Sequence, residues 1–323
     1  MIQPEPSEAV VLGVDVGGTK IAASAFDVHL TPLRTRVVPT PSACHPSALA
    51  GVPRGTEAEA DARIRGRDAL LAAVVGICYD LLWHAPGVQA IGIGMAGQVD
   101  PTRGVVTDAN DNLIGAKGAP IAEVVRLACS LPVYVANDVR VMALAELQRG
   151  AARGCRSALC LTVGTGIGGA LIQNGEVWHG AHFCAGEIGY LDVGDGQTLE
   201  ALYSGPAIAQ RFNARHGTDY TLVQMAERAA NGDAACADAI RRAGGELGRF
   251  LAPVIALIDP EVVVIGGGVA DVGALWWDAL VASIRAAAIP AVRDIPIRRA
   301  AFGSQSGVLG AAILAAHHQG LLS

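Results

Sequence analysis

Asp15, Gly17, Gly18, Thr19 and Lys20 put a carboxylate, bare backbone, a hydroxyl and an ammonium within six positions. The stretch 10–27, VVLGVDVGGTKIAASAFD, reads as two apolar strands joined by a glycine turn. Backbone N–H groups and Lys20 in such a turn suit a phosphate chain, and Asp15 suits the accompanying magnesium ion, directly or through water. An ordinary hairpin whose glycines only turn the chain fits the same residues.

Residues 159–170, LCLTVGTGIGGA, repeat the pattern at an offset of 149, with Leu161 over Leu12, Val163 over Val14 and Gly166 over Gly17. Gly164 then stands where the first copy has Asp15, so the first copy suits phosphate with metal and the second phosphate alone. A third apolar strand runs into Gly266, Gly267 and Gly268. Similarity over so long an interval predicts two comparable domains.

Asp138 has a different setting. A short strand over 131–136 is followed by Asn137 and Asp138, and VRVMALAEL then starts with helical spacing. A carboxylate there caps free N–H groups and is stabilised by the helix dipole. Held at that point, it also suits acceptance of a proton or hydrogen bond from a substrate hydroxyl. The segment 98–115 places Asp100, Asp108, Asn110, Asp111 and Asn112 after a buried strand at 88–96. Short polar side chains at a strand's carboxyl end suit a polyol, and they serve turn chemistry equally well.

The elements that must hold these residues follow from the apolar pattern. A helix is expected over 68–82 and a long surface loop over 34–66. Helical stretches follow over 222–248, interrupted at Gly232 and Gly244-Gly245, and over 250–258, stopped at Asp259-Pro260 before the strand at 262–265. Trp276 and Trp277 suit core or interface packing more than stacking on a base.

At 323 residues the chain exceeds one typical core. The hydrophobic share is 51% and the aromatic share 4%, so the core is built from Ala, Val, Leu and Ile. Net charge is −6, and only Lys20 and Lys117 among the 24 basic residues are lysines. No basic stripe stands out, which argues against nucleic acid as a partner. The first ten residues lack a signal-peptide pattern and no apolar run reaches the roughly 18 residues of a membrane span. Seven cysteines without CxxC spacing suit a reducing, cytoplasmic setting.

DVGGTK at 15–20, ANDVRVMALAE at 136–146, VGTGIGGALIQNGEVWHGAHFCAGEIG at 163–189 and VVIGGGV at 263–269 together resemble the ROK family, over nearly the whole chain. That resemblance implies an α/β, two-domain actin-like, hexokinase-type (ribonuclease H-like) fold with an interdomain cleft. The domains would be 1–135 completed by a helix within 305–323, and 136–304. It implies a sugar kinase using ATP and Mg2+, acting on O6 of a hexose or N-acetylhexosamine, and a homodimer or higher homo-oligomer. Asp138 resembles the general base. Gly97, Asn112, Asn137, Glu187 and Glu200 resemble sugar-binding positions, while Asp15, Gly17, Gly18, Thr19, Lys20, Gly164, Thr165, Gly166, Gly266, Gly267 and Gly268 resemble the ATP site.

The family usually carries a histidine and three cysteines for zinc after AGEIG. Here Tyr190 takes the histidine's place and the segment LDVGDGQTLEALYSG has no cysteine, so no structural zinc site is expected. Two other readings are a sugar-responsive repressor, which needs an N-terminal DNA-binding domain where only 14 residues precede Asp15, and a non-catalytic sugar-binding protein. Polyphosphate is an alternative donor.

Overall fold

The structure is a computed structural model describing residues 10–321. It divides into two units, Met1–Ala145 with Gln305–Ser323, and Glu146–Ser304. In the first, β1 (Val11–Val16) and β2 (Lys20–Phe26) form the hairpin around the glycine turn, and β3 (Pro32–Pro39) extends it. Next come α1 (Glu57–His84), β4 (Ala90–Met95), a small hairpin of β5 (Gln98–Asp100) and β6 (Val105–Asp108), α2 (Ile121–Cys129), β7 (Val133–Asn137) and α3 (Asp138–Arg149). The sheet order is β3-β2-β1-β4-β7, with β1, β4 and β7 parallel to one another and β2 antiparallel to both of its neighbours, β1 and β3.

The second unit repeats this plan. β8 (Ala158–Val163), β9 (Ile167–Gln173) and β10 (Glu176–Trp178) lead to α4 (Leu199–Tyr203), α5 (Gly205–His216), α6 (Leu222–Ala230) and α7 (Ala234–Ile258). β11 (Val262–Gly266), α8 (Ala274–Ala287) and β12 (Ile297–Arg299) complete it, in the order β10-β9-β8-β11-β12 with the same strand senses. The last helix, α9 (Ser306–His318), belongs to the first unit and packs on β1, β4 and β7.

Helix cover explains why β1 and β4 read as continuous apolar runs instead of alternating ones. Leu12, Val14, Ile91 and Ile93 share a core with Leu70, Val74, Ile77 and Leu81 of α1. On β4, a Cβ on Gly92 would collide with the Ala311 carbonyl of α9, so the glycine sets how closely helix and sheet approach. Val141 of α3 lies just as close to Gly310 of α9, which ties the first turns of α3 to the first unit.

Three expectations are corrected. Residues 34–66 are not one long loop: they contain most of β3 and the first ten residues of α1, capped by Thr56 through a hydrogen bond from the Glu59 backbone. The buried positions in that part of the helix are Ala62 and Gly66, too small to register as apolar periodicity, while its exposed Glu, Ala and Arg are good helix formers. Gly244 and Gly245 do not interrupt α7, which is continuous. Gly244 and Gly248 instead lie against the Trp276 and Leu280 carbonyls of α8, and Trp276 itself is core at 1% exposure.

The third correction concerns the register of the repeat. Val16 pairs with Ile21 across the first turn and Val163 with Ile167 across the second, so Val163 matches Val16, not Val14. Gly164 therefore matches Gly17, and Thr162 takes the place of Asp15. A slip of two residues keeps every side chain on its own face, so the apolar pattern alone cannot detect it.

Candidate active site

In the first unit the carboxyl ends of the parallel strands form one row, because Val16 pairs with Met95 and Met95 with Asn137. With strands about 4.8 Å apart, the ends of β1 and β7 lie about 10 Å from each other. Gly17, Gly97 and Asp138 thus leave the sheet along one edge, where ligands of open α/β sheets collect.

Asn137, 6% exposed, is spent entirely within the protein. Its amide nitrogen donates to the Gly97 carbonyl and to Asp138 Oδ1, both at 2.9 Å. Its carbonyl oxygen accepts from the backbones of Val139 at 3.0 Å and Arg140 at 3.2 Å. Two donors and two lone pairs exhaust a carboxamide, so this side chain holds Asp138 and has nothing left for a sugar hydroxyl. Asn137 therefore also does the capping expected of Asp138. Oδ1 of Asp138 takes a second hydrogen bond from the Val139 backbone at 2.9 Å, which sets the carboxylate's orientation.

Asp15 ends in a recess beside Gly307 at the start of α9, where a Cβ on Gly307 would lie 2.5 Å from the carboxyl carbon. Desolvation raises its pKa from 3.8 to about 6, with Lys20 pulling the other way. A desolvated carboxylate beside a single ammonium matches the oxygen donor that a hard divalent cation takes, so the residues fit magnesium. The adjoining turn closes through Gly17 N–H to the Lys20 carbonyl at 3.0 Å, leaving Thr19 and Lys20 exposed. Thr40 clamps it, its hydroxyl donating to the Gly17 carbonyl at 2.7 Å and its backbone to Thr19 at 3.0 Å.

Gly97 has φ +104° and lies against Asp108 and Ala109, which only glycine permits. The exposed Asn112 follows in the same segment, its backbone carbonyl lying 2.7 Å from where a Cβ on Gly18 would be. Asp15, Gly17, Gly18, Gly97, Asn112, Asn137 and Asp138 are thus brought together by one sheet edge.

The second unit gathers its own set. Gly164 N–H donates to Gly166 at 2.9 Å and exposes Thr165 at the turn's tip. Gly267 packs on Val163, putting Gly266, Gly267 and Gly268 beside that turn at the ends of the parallel β8 and β11. Glu200 braces the turn: its Oε2 accepts from the Ile167 backbone at 2.9 Å. Glu187 is half-buried in a segment whose flanking Gly186 and Gly189 press onto β9. His179, His182 and Cys184 do not form a cluster, and among the described residues no three His, Cys, Asp or Glu side chains are placed to hold a metal.

Sequence reasoning missed Thr40, Gly307 and Glu146. Thr40 lies 23 positions from the carbonyl it clamps, and Gly307 nearly 300 from Asp15. Glu146, fully buried, accepts from the Ala151 backbone at 2.7 Å and the Ala301 backbone at 2.8 Å. No local pattern marks any of the three.

Two units of the same strand plan, each with a glycine turn after its first strand, define the actin-like, hexokinase-type fold. The chain belongs to the ROK family, whose profile matches residues 54–318. It is 30% identical to a glucokinase of Streptomyces coelicolor, covering 95% of this chain and 97% of that protein. A ROK hexokinase from Thermus thermophilus superposes with a TM-score of 0.76 at 33% identity, covering 96% and 99% of the two chains. A ROK family glucokinase from Streptomyces griseus, solved in complex with glucose and AMPPNP, gives 0.74 at 29% identity, covering 95% and 99%.

Proposed function

We propose that this carbohydrate kinase transfers the γ-phosphoryl group of ATP to a hydroxyl of a hexose or N-acetylhexosamine, with O6 as the acceptor and Asp138 as the general base. The observation that carries the reading is the Asp138 carboxylate, pinned through Oδ1 at the head of α3 by Asn137 and the Val139 backbone. Asp138 takes the proton of the acceptor hydroxyl as that oxygen forms its bond to the γ-phosphorus. The bond from the γ-phosphorus to the β,γ-bridging oxygen breaks, ADP leaves, and the proton passes from Asp138 to solvent.

Asn112, Gly97 and Glu187 are proposed to serve the sugar side, Asn137 acts through Asp138, and Glu200, a sugar-side position by resemblance, acts on the phosphate side through the turn it braces. Backbone N–H groups of Gly17, Gly18 and Thr19, with Lys20, receive phosphate oxygens, as do Gly164, Thr165 and Gly166. Gly266, Gly267 and Gly268 leave room for the nucleoside, where a side chain would obstruct. Magnesium at Asp15 would neutralise charge on the phosphates.

An ADP-release assay over a panel of hexoses and N-acetylhexosamines tests the reading, with sugar phosphate formation measured when polyphosphate replaces ATP as donor, and Asp138→Asn run alongside. The amide oxygen of the variant retains both hydrogen bonds that orient Asp138, so the fold and sugar binding are expected to persist. Turnover is expected to fall by about 10³-fold or more. Turnover at the parent rate would remove Asp138 from the mechanism.

A further inference from the structure

We propose that a cavity between α1 and the segment joining β6 to α2 binds a phosphate dianion, either free or carried as a monoester on a small molecule of the sugar class. The cavity measures about 380 Å³ and lies wholly within the first unit. Arg54, Arg63, Arg67 and Lys117 line it against a single acid, Asp108, while Ile64 and Leu113 supply an apolar wall. Lys117 is one of only two lysines in the chain; the other stands in the phosphate turn.

The walls are fixed by backbone packing. A Cβ on Gly66 of α1 would come within 2.6 Å of the Ile114 carbonyl, and Gly115, at φ +83°, lies against the backbones of Arg63 and Arg67. Cys44 ties both sides, donating its thiol to the Gly66 carbonyl at 3.2 Å and accepting from the Ile114 backbone at 2.8 Å. The cations of α1 and the lysine of the facing segment are therefore held around one space.

Their present partners are exchangeable. Lys117 pairs with Asp108 at 2.8 Å, Arg63 with Glu59 at 2.7 Å and Arg67 with Asp68 at 3.1 Å, all partly exposed pairs. Such pairs contribute only about 0–1 kcal/mol each. A phosphate dianion offers several oxygens at once and takes guanidinium groups in bidentate fashion, so it competes well against single carboxylates. The volume falls in the range of small-molecule sites, about 300–1,000 Å³, and the Ile64–Leu113 wall suits the apolar face of a sugar ring.

This site goes beyond the phosphoryl-transfer reading, and its test needs no turnover. Titration calorimetry without ATP would use the full chain and three probes: a hexose 6-phosphate, inorganic phosphate and the uncharged hexose. Against the Arg67→Gln/Lys117→Gln double variant, at least one dianion is expected to lose about ten-fold or more in affinity, with hexose binding unchanged. The tighter dianion identifies the source of the phosphate.

Asp108→Asn removes the competing acid and is expected to tighten the same dianion several-fold, which keeps the test open if the double variant does not fold. Equal dianion affinity in wild type and variants, or no dianion binding by wild type, overturns the proposal. If sugar phosphorylation were absent while these shifts appeared, the kinase reading would fail and this one would stand.

Discussion

The carboxamide of Asn137 donates to Oδ1 of Asp138 at 2.9 Å while its other N–H reaches the Gly97 carbonyl of the neighbouring strand end at 2.9 Å. One buried side chain therefore links the end of β4, the end of β7 and the first turn of α3. The candidate base owes its aim to a residue that itself has no capacity left for substrate.

Asn137→Ala is accordingly expected to lower kcat by about ten- to a hundred-fold through lost orientation, while the KM for sugar changes little. Stability should drop by about 2 kcal/mol, since the freed Gly97 carbonyl and helix N–H groups lose buried partners. Steady-state kinetics and urea unfolding check both. A loss confined to the sugar KM would make Asn137 a direct sugar ligand instead.

Asp15 carries a pH signature. Its folded pKa of about 6 lies above 3.8, so the folded state holds this proton more tightly than the unfolded state does. The stability that this contributes is complete below 3.8 and is lost as pH rises through about 6. At neutral pH the ionised, desolvated carboxylate costs about 3 kcal/mol. Asp15→Asn should remove that dependence, gaining about 2–3 kcal/mol on wild type between about pH 4 and pH 7 in urea unfolding without nucleotide or divalent ions. Parallel pH profiles for the two proteins would contradict the assignment.

Glu200 holds the second glycine turn through the Ile167 backbone at 2.9 Å. Glu200→Ala is expected to raise the KM for ATP several-fold with a smaller effect on the sugar KM, because the turn loosens before anything else moves. Effects in the reverse order would make contact with the sugar its main role.

Two glycine substitutions should act with opposite sign. Gly92→Ala drives a methyl group into the Ala311 carbonyl, which a sheet packed on both faces cannot yield, so a loss of about 3 kcal/mol or more is expected. Gly76→Ala, in the interior of α1 with nothing within 4 Å of the new methyl, should gain about 1 kcal/mol. Thermal unfolding of the two variants reads the difference.

Much of the candidate site's local geometry was legible because its parts are local. The glycine turns at Gly17 and Gly164 each lie between two apolar strands, and Asp138 falls between a strand and a helix, patterns that a few consecutive residues create through backbone geometry. The repeat was legible too, but its register was not: strands alternate with period two, so only the paired backbones separate Val14 from Val16 as the partner of Val163. The start of α1 was hidden because its buried positions are Ala62 and Gly66, which carry almost no hydrophobic signal.

The chain's own order of residues determined the strands, the turns after them and the carboxylate at the head of α3, since each arises from neighbours along the backbone. Tertiary structure alone decided that Gly307 closes over Asp15, that Thr40 clamps Gly17, that Glu200 braces Ile167 and that Asn137 is spent on Asp138 and Gly97. Those pairings depend on which backbones the packed sheets and helices bring within hydrogen-bonding or van der Waals distance, and such distances between remote residues have no local trace.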